Sequence, residues 1–319
     1  MDFLGIDVGK SDLHAAILQG ERSSTKSVPN SANGIKQLLT WLKNRKVENI
    51  HACLESTGGW SEAVGLALHK EGYLVSIVNP CRIKAFAQSE MLRTKTDAVD
   101  AALIARFCRM HKPDRWGPPT PEVLALQAFV RRYQSLTEML TEEKNRLGAP
   151  MITEEVRMSV ETHIEHLTNE LERIDRQIDN LFENHPHLRK QRDLLTSIPG
   201  IGKTTAARIL GEMPNIAEFR DVKAVAAFAG LSPRHYQSGS IRRSSRLAKT
   251  GNGKLRCSLY FPAITALRFN PIIKNLADRL GERGRAKMCI IAAAMRKLLV
   301  LAYGVLKSGQ PFDPAYAAS

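Results

Sequence analysis

The sequence predicts an α/β domain over residues 1–115, a helical coiled-coil segment over 116–187 and a mainly α domain over 188–319. Three observations lead there. Up to Val78, short apolar runs of strand length alternate with amphipathic helical periods. Ile164, Leu167, Leu171, Ile174, Ile178 and Leu181 recur at intervals of 3, 4, 3, 4 and 3 residues, an a/d seam with charges at the other positions. From Leu188 onward, helical patterns are joined by short loops rich in glycine and basic residues. A chain of 319 residues has room for two or three domains, and 43% apolar content is that of a packed protein rather than a disordered one.

Taken in order, Phe3–Val8, Leu13–Leu18 and Arg22–Val28 read as strands. Asn33 is placed to cap a helix carrying Ile35, Leu38, Leu39 and Leu42 on one face. Ile50–Leu54 is a short apolar strand, a helix covers Ser61–Lys70, and the strand Tyr73–Val78 stops at Asn79-Pro80. A meander followed by strands alternating with helices suggests a mixed sheet with helices on its faces, the order of a ribonuclease-H-like domain. Sugar-kinase and actin-like domains begin in a similar way, so topology alone does not decide. A further helix runs to about Met110. After Pro113 and the Gly117-Pro118-Pro119 break, Leu124–Leu147 is helical, Gly148-Ala149-Pro150 interrupts, and the heptad-bearing helix follows. A hairpin within the chain and a coiled coil between chains fit equally. The last nine residues are expected to be loose.

Composition narrows the function. The formal net charge is +14, and it is uneven: residues 188–310 hold 23 Lys+Arg against 6 Asp+Glu, which leaves the rest of the chain slightly acidic. No acid occurs between Asp221 and Asp278. Such a one-sided excess repels itself unless a polyanion neutralises it, so a nucleic acid is the expected partner. Five cysteines without CxxC spacing argue against a disulfide framework or a zinc site and for reduced, mostly buried thiols. No apolar run reaches the roughly 18 residues of a membrane span, and the start lacks a signal-peptide pattern, so a soluble cytoplasmic protein without membrane contact is expected.

Five motifs could carry chemistry. In Gly-Ile-Asp7-Val-Gly-Lys10 an aspartate ends an apolar strand, where it either caps a turn or meets a metal or phosphate. Glu55 ends a second buried strand in Leu-Glu55-Ser-Thr-Gly-Gly. In Lys95-Thr-Asp97-Ala-Val-Asp100, two carboxylates three residues apart share a helix face, where they either complement its dipole or take part in a cation site. Converging, the four would suit hard cations such as Mg²⁺, which keep waters and share phosphate oxygens. Ile198-Pro-Gly200-Ile-Gly202-Lys203 looks like a P-loop but has Ser197 where that loop needs glycine. It reads better as a helix–hairpin–helix turn whose backbone N–H groups meet a DNA phosphate. Finally, Arg234, Ser238, Arg242, Arg243, Arg246, Lys249, Asn252, Lys254 and Arg256 crowd one basic stretch, where a serine hydroxyl could attack a phosphodiester while arginines stabilise the phosphoryl oxygens.

With these residues in hand, the chain resembles the bridge-RNA-guided insertion-sequence transposases with a DEDD tetrad, related to the Piv site-specific invertases. The matching stretches run in order from Gly-Ile-Asp7-Val through Val78-Asn-Pro-Cys, Phe228-Ala-Gly-Leu-Ser-Pro233, Ser238-Gly239 and Lys249-Thr-Gly-Asn252 to Arg296-Lys-Leu-Leu299. The resemblance implies a ribonuclease-H-like (Holliday-junction-resolvase-like) domain holding Mg²⁺, or Mn²⁺, through Asp7, Glu55, Asp97 and Asp100. It also implies a C-terminal transposase domain whose serine links covalently to DNA. A structured guide RNA would pair with donor and target DNA. Two dimers would form a tetramer, the carboxylates of one subunit working with the serine of another. Ser238 is the matching serine, with Ser240 two residues away as competitor. Many members carry another serine before the Lys-x-Gly-Asn lysine, but here Ala248 rules that position out. The alternative is a metal-dependent junction-resolvase-like nuclease with no covalent serine step.

Overall fold

The computed structural model describes residues 1–45, 47, 49–91, 96–234, 237–238, 241–242 and 246–315. They form two compact units, Met1–Pro118 and Pro119–Ser319.

The first unit opens with an antiparallel meander, β1 (Asp2–Val8), β2 (Asp12–Gln19) and β3 (Arg22–Pro29). Helix α1 (Ala32–Asn44) leads to β4 (Ile50–Glu55), α2 (Gly59–Lys70) to β5 (Leu74–Val78), and α3 (Pro80–Ser89) and α4 (Asp97–His111) complete it. The sheet order is β3-β2-β1-β4-β5, with β4 parallel to both β1 and β5. Alternation along the strands builds two apolar layers. Leu4, Ile6, Leu13 and Leu54 pack with Leu38 and Leu42 of α1 and with Val64 and Leu68 of α2. On the opposite face Cys53 and Val78 pack with Ile83 and Phe86 of α3 and with Leu103, Ile104, Phe107 and Cys108 of α4. Buried His51 and Ser76 hydrogen-bond at 2.8 Å, and the serine hydroxyl also meets the carbonyl of Asp114 at 2.8 Å. That network, with the Trp116 N–H donating to Val75 O at 2.7 Å, holds the segment leaving α4 against β5.

One expectation shifts here. Helix α1 is capped by Ser31, whose hydroxyl accepts from the Gly34 N–H at 3.2 Å, and Asn33 lies inside the first turn. Both residues are good caps, and where β3 ends decides between them.

The second unit begins with a long pair, α5 (Pro121–Leu147) and α6 (Glu154–Asn184), joined by six residues and hence antiparallel. The α6 seam faces α5 of the same chain: Leu167, Ile174 and Ile178 are buried in a core shared with Leu126, Val130 and Leu136. Helices α7 (Pro186–Thr196) and α8 (Lys203–Glu212), a 3₁₀ turn at Ile216–Glu218 and α9 (Val222–Phe228) follow. Then come two short antiparallel ladders: β6 (Pro233–Arg234) pairs with β9 (Arg246–Leu247), and β7 (Gln237–Ser238) with β8 (Ile241–Arg242). The sequence pattern predicts helix and loop here, and the two ladders depart from it. Helices α10 (Gly253–Ser258), α11 (Tyr260–Phe269), α12 (Pro271–Glu282) and α13 (Lys287–Ser308) close the unit.

A single core joins Phe182 and Leu195 to Leu255, Leu259, Ile273, Leu298 and Leu299. Helix α13 has a window of mean hydropathy 1.9 and is long and apolar enough to cross a membrane by composition, although Arg296 and Lys297 interrupt it. Its apolar stripe, Ala294 to Val305, is buried in this core. The tail is less loose than expected: the Phe312 N–H donates to the Ser197 hydroxyl at 2.8 Å and its ring packs on the core. All five thiols are free, but only Cys53 and Cys108 are buried; Cys81, Cys257 and Cys289 are exposed, contrary to expectation.

Candidate active site

In the first unit, strand register places the carboxylates. Ile6 pairs with Leu54 across the parallel β1–β4 ladder, so Asp7 and Glu55 lie side by side at the two strand ends. Side chains two apart share a face. Asp7 therefore follows Gly5, and Glu55 follows Cys53, on the face that α4 covers. A Cβ on Gly5 would lie 2.2 Å from both Ala101 O and Ala105 N, so α4 rests directly on the β1 backbone there. From that contact Asp7 is two residues farther along the strand, about 6.6 Å. Asp97 is four residues back along the helix from Ala101, about 6 Å. The two advances match if the helix runs opposite to the strand, and a third contact confirms that it does. His14, paired with Asp7 on β2, reaches Asp97 at 3.3 Å.

All four acids thus belong to one end of the sheet, on one face. Asp7, Glu55 and Asp100 are half-buried and Asp97 is exposed. The Thr96 hydroxyl caps α4 by accepting from the Val99 N–H at 3.3 Å, which leaves both aspartates in the positive first turn of the helix. Among the described residues, no three His, Cys, Asp or Glu side chains are close enough to hold an ion together. Cys53 packs against Cys108 beneath this end, and the hydrogen bond with the Cys108 thiol, together with burial, pushes the Cys53 thiol far up, so it stays protonated. Lys10 is exposed just past β1, and Lys95 lies outside the described residues.

In the second unit, Gly200 (φ +106) turns the chain from α7 toward α8. A Cβ there would come within 2.7 Å of the Ala266 Cβ, so this turn is seated on α11. Buried Asn270 also donates to Pro199 O at 3.3 Å. Gly202 caps α8, and with Lys203 and Thr204 it is exposed, which presents the helix start to solvent. Ser238 lies in β7 opposite Ile241. Its backbone is described and its side chain is not; Ser240 and Arg243 lie outside the described residues. Arg234, Arg246, Lys249 and Lys254 are exposed, and Arg242 sits in β8.

Two of the basic-stretch residues have internal work. The Asn252 side chain accepts from the Leu255 N–H at 3.0 Å, capping α10, and donates to Glu212 Oε2 at 3.0 Å. Arg256 donates to Ala229 O at 3.1 Å. Glu212, 5% exposed, also receives the Arg131 guanidinium at 3.0 Å. Together with Gly251, whose Cβ would sit 2.1 Å from Phe228 O, these bonds form a clasp at the root of the segment bearing Ser238. Sequence reading missed Glu212 and Arg131. Glu212 could have been noticed as a lone acid between the apolar positions Ile209, Leu210 and Met213 of a basic segment. His14 was missed as well, since no motif includes it.

Two family models match the chain, one in each half. A family model for transposases, of the DEDD IS110 type, matches residues 4–152. A second, for the transposase IS116/IS110/IS902 family, matches residues 192–278. The pilin gene-inverting protein of Moraxella bovis is 32% identical over 98% of this chain and 97% of its own length. The transposase for insertion sequence element IS1111A of Coxiella burnetii is 24% identical over 70% of this chain and 69% of its own. Among solved structures, Thermus thermophilus RuvC in complex with a Holliday junction aligns with 36% of the chain and 99% of its own, at 18% identity and a TM-score of 0.28. The chain belongs to the IS110/IS116 transposase family and is a DNA transposase or recombinase.

Proposed function

We propose that this transposase cuts and rejoins donor and target DNA with four carboxylates, Asp7, Glu55, Asp97 and Asp100, and the hydroxyl of Ser238, directed by a structured guide RNA. The observation that carries the first half is the seat of α4 on Gly5, which together with the β1–β4 register supports a common end of one sheet face for the four acids. The order β3-β2-β1-β4-β5, a meander followed by parallel strands, supports a ribonuclease-H-like reading of this unit.

The donor set is all oxygen, which fits Mg²⁺ or Mn²⁺ better than a softer metal. When bound, such ions would offset the charge of the attacked phosphodiester and polarise it. Asp97 would exchange its contact with His14 for the ion. Ser238 Oγ would attack phosphorus, its proton passing to solvent, while the P–O bond to the departing strand breaks and leaves a free hydroxyl end. Attack of a strand hydroxyl on the resulting phosphoserine ester would restore the diester and the serine. The exposed arginines Arg234 and Arg246 of β6 and β9 supply positive charge along the same segment. The exposed start of α8 after the Gly200 turn would take a backbone phosphate, the role expected of a helix–hairpin–helix. The clasp residues Asn252 and Arg256 act by holding this segment in place. Assembly of dimers into a tetramer is part of the same reading.

The test is a denaturing gel of protein incubated with labelled donor and target DNA, guide RNA and Mg²⁺. A covalent protein–DNA adduct is expected that disappears in Ser238→Ala and in excess chelator, with Asp7→Ala losing both adduct and joining. Metal-dependent cleavage that persists in Ser238→Ala without an adduct would establish the resolvase-like alternative instead.

A further inference from the structure

The outer face of α11 carries two aromatic rings that the core does not use. Phe261 is 75% exposed and Phe269 68%, while Ala263 and Ala266 of the same helix are fully buried. Phe261, Thr265, Arg268 and Phe269 are all exposed and fall at positions i, i+4, i+7 and i+8, which is one stripe. The residue joining α10 to α11, Leu259, keeps helical angles (φ −89, ψ −9), and exposed Lys254 of α10 extends the stripe toward its start. Two rings therefore lie along a line with a cation before them and a cation between them. Neither Lys254 nor Arg268 has a carboxylate partner among the described residues. No acid is present in the sequence between Asp221 and Asp278 to supply one locally.

Single exposed apolar side chains are ordinary; here two aromatic rings share one helix stripe with two cations, and the cations decide what kind of partner fits. A protein surface that buried the rings would also have to bring carboxylates of its own to pair these cations, whereas a nucleic-acid backbone carries an anionic phosphate at every residue. A nucleic-acid strand satisfies both groups, since base planes stack on the rings and phosphates pair with the cations. Geometry then separates single strands from duplex. Eight residues of helix put the rings about 12 Å apart along the axis. Successive stacked bases are about 3.4 Å apart, so the two rings cannot cap neighbouring bases of one stack. They can receive bases splayed from a strand whose intervening phosphates face Arg268. A duplex keeps its base faces covered and offers the rings nothing.

We infer that the α11 face binds an unpaired DNA strand, with Phe261 and Phe269 each stacking on a base and Lys254 and Arg268 holding phosphates. DNA is the strand because this enzyme opens and exchanges DNA strands, which exposes bases. The inference needs only that DNA is the substrate, and it does not depend on Ser238 or on the carboxylates.

The experiment measures fluorescence anisotropy of labelled mixed-sequence oligonucleotides with the full-length protein in chelator, so that metal-dependent cleavage does not interfere. Single-stranded DNA, duplex DNA and RNA of the same sequence are compared for wild type, Phe261→Leu, Phe269→Leu and the double variant. Leucine keeps apolar area and helix propensity but removes the π-face. The double variant is expected to bind single-stranded DNA about tenfold more weakly or worse, with duplex affinity within twofold and molar mass by light scattering unchanged. Unchanged single-strand affinity would overturn the proposal. So would an equal loss on duplex, or a loss confined to RNA. A drop in molar mass with single-strand binding intact would instead assign the face to a second copy of the chain. Because Ser238 is intact and adduct formation is scored separately, either reading can fail while the other stands.

Discussion

Replacing Gly5 with alanine asks whether the seat of α4 on β1 is what carries Asp97 and Asp100 to Asp7 and Glu55. The added Cβ would lie 2.2 Å from Ala101 O and from Ala105 N, both backbone atoms that cannot rotate away. Ordinary contact begins near 3.4 Å, so strand and helix must part by about 1.2 Å. Overpacking of this kind costs about 1–3 kcal/mol, and two fixed backbone contacts place it at the upper end. Against a domain stability of roughly 5–15 kcal/mol, the unit stays folded. The chemistry suffers more, because displacing a reacting group by about 1 Å costs on the order of a hundredfold in rate.

Urea unfolding followed by circular dichroism should therefore show a loss near 3 kcal/mol. Single-turnover strand cleavage, measured where the variant is still folded, should fall about a hundredfold. Gly281→Ala provides a control: nothing lies within 4 Å of its Cβ in α12, and it should gain about 0.5–1 kcal/mol without touching cleavage. A Gly5→Ala protein that unfolds at the wild-type midpoint and cleaves at the wild-type rate would refute the register argument for the site.

Two further predictions concern the second unit. Glu212→Gln removes the charge that holds Arg131 and Asn252, and breaking one side of a buried pair costs about 3 kcal/mol. Hydrogen exchange should quicken at the Asn252 amide, which donates to Phe228 O at 2.6 Å, while Ile209 in mid-α8 keeps its protection; unchanged exchange at Asn252 would show that the clasp does not depend on Glu212. Asp221 caps α9, and the Ala224 N–H donating to its carboxylate at 2.7 Å, with smaller help from Arg220, lowers its pKa below the usual 3.8. A depressed folded value means this stabilisation is complete above the unfolded pKa and is lost as pH falls through the folded one. Asp221→Asn should accordingly flatten the acid limb of the stability profile below about pH 4, and an unaltered limb would count against the cap.

Much of the molecule was legible beforehand because local chemistry governs it. Short apolar runs of strand length in Phe3–Val8 and Leu13–Leu18 mark strands of a covered sheet whatever they pack against. The seam from Ile164 to Leu181 specifies a helix with one apolar face. It could not say whose helix covers that face; only the six-residue connection, with Leu126, Val130 and Leu136 on α5, decides for the same chain. Glu212 was hidden for a similar reason. Its partners stand 81 residues before it and 40 after it, and nothing in a linear reading relates such positions.

The sequence by itself determined the alternation of strands and helices, the concentration of positive charge after Leu188 and the presence of four acids at element ends. These follow from side-chain periodicity and charge, which each segment carries alone. Only the tertiary structure decided that Asp7 and Glu55 share a face, that α4 approaches β1 closely enough to demand a glycine, and that Asn252 serves a buried acid rather than solvent. A one-residue slip of register would send a strand's side chains to the opposite face, so the shared face of Asp7 and Glu55 and the approach of α4 to it belong to the packing of β1, β4 and α4 and to no segment separately.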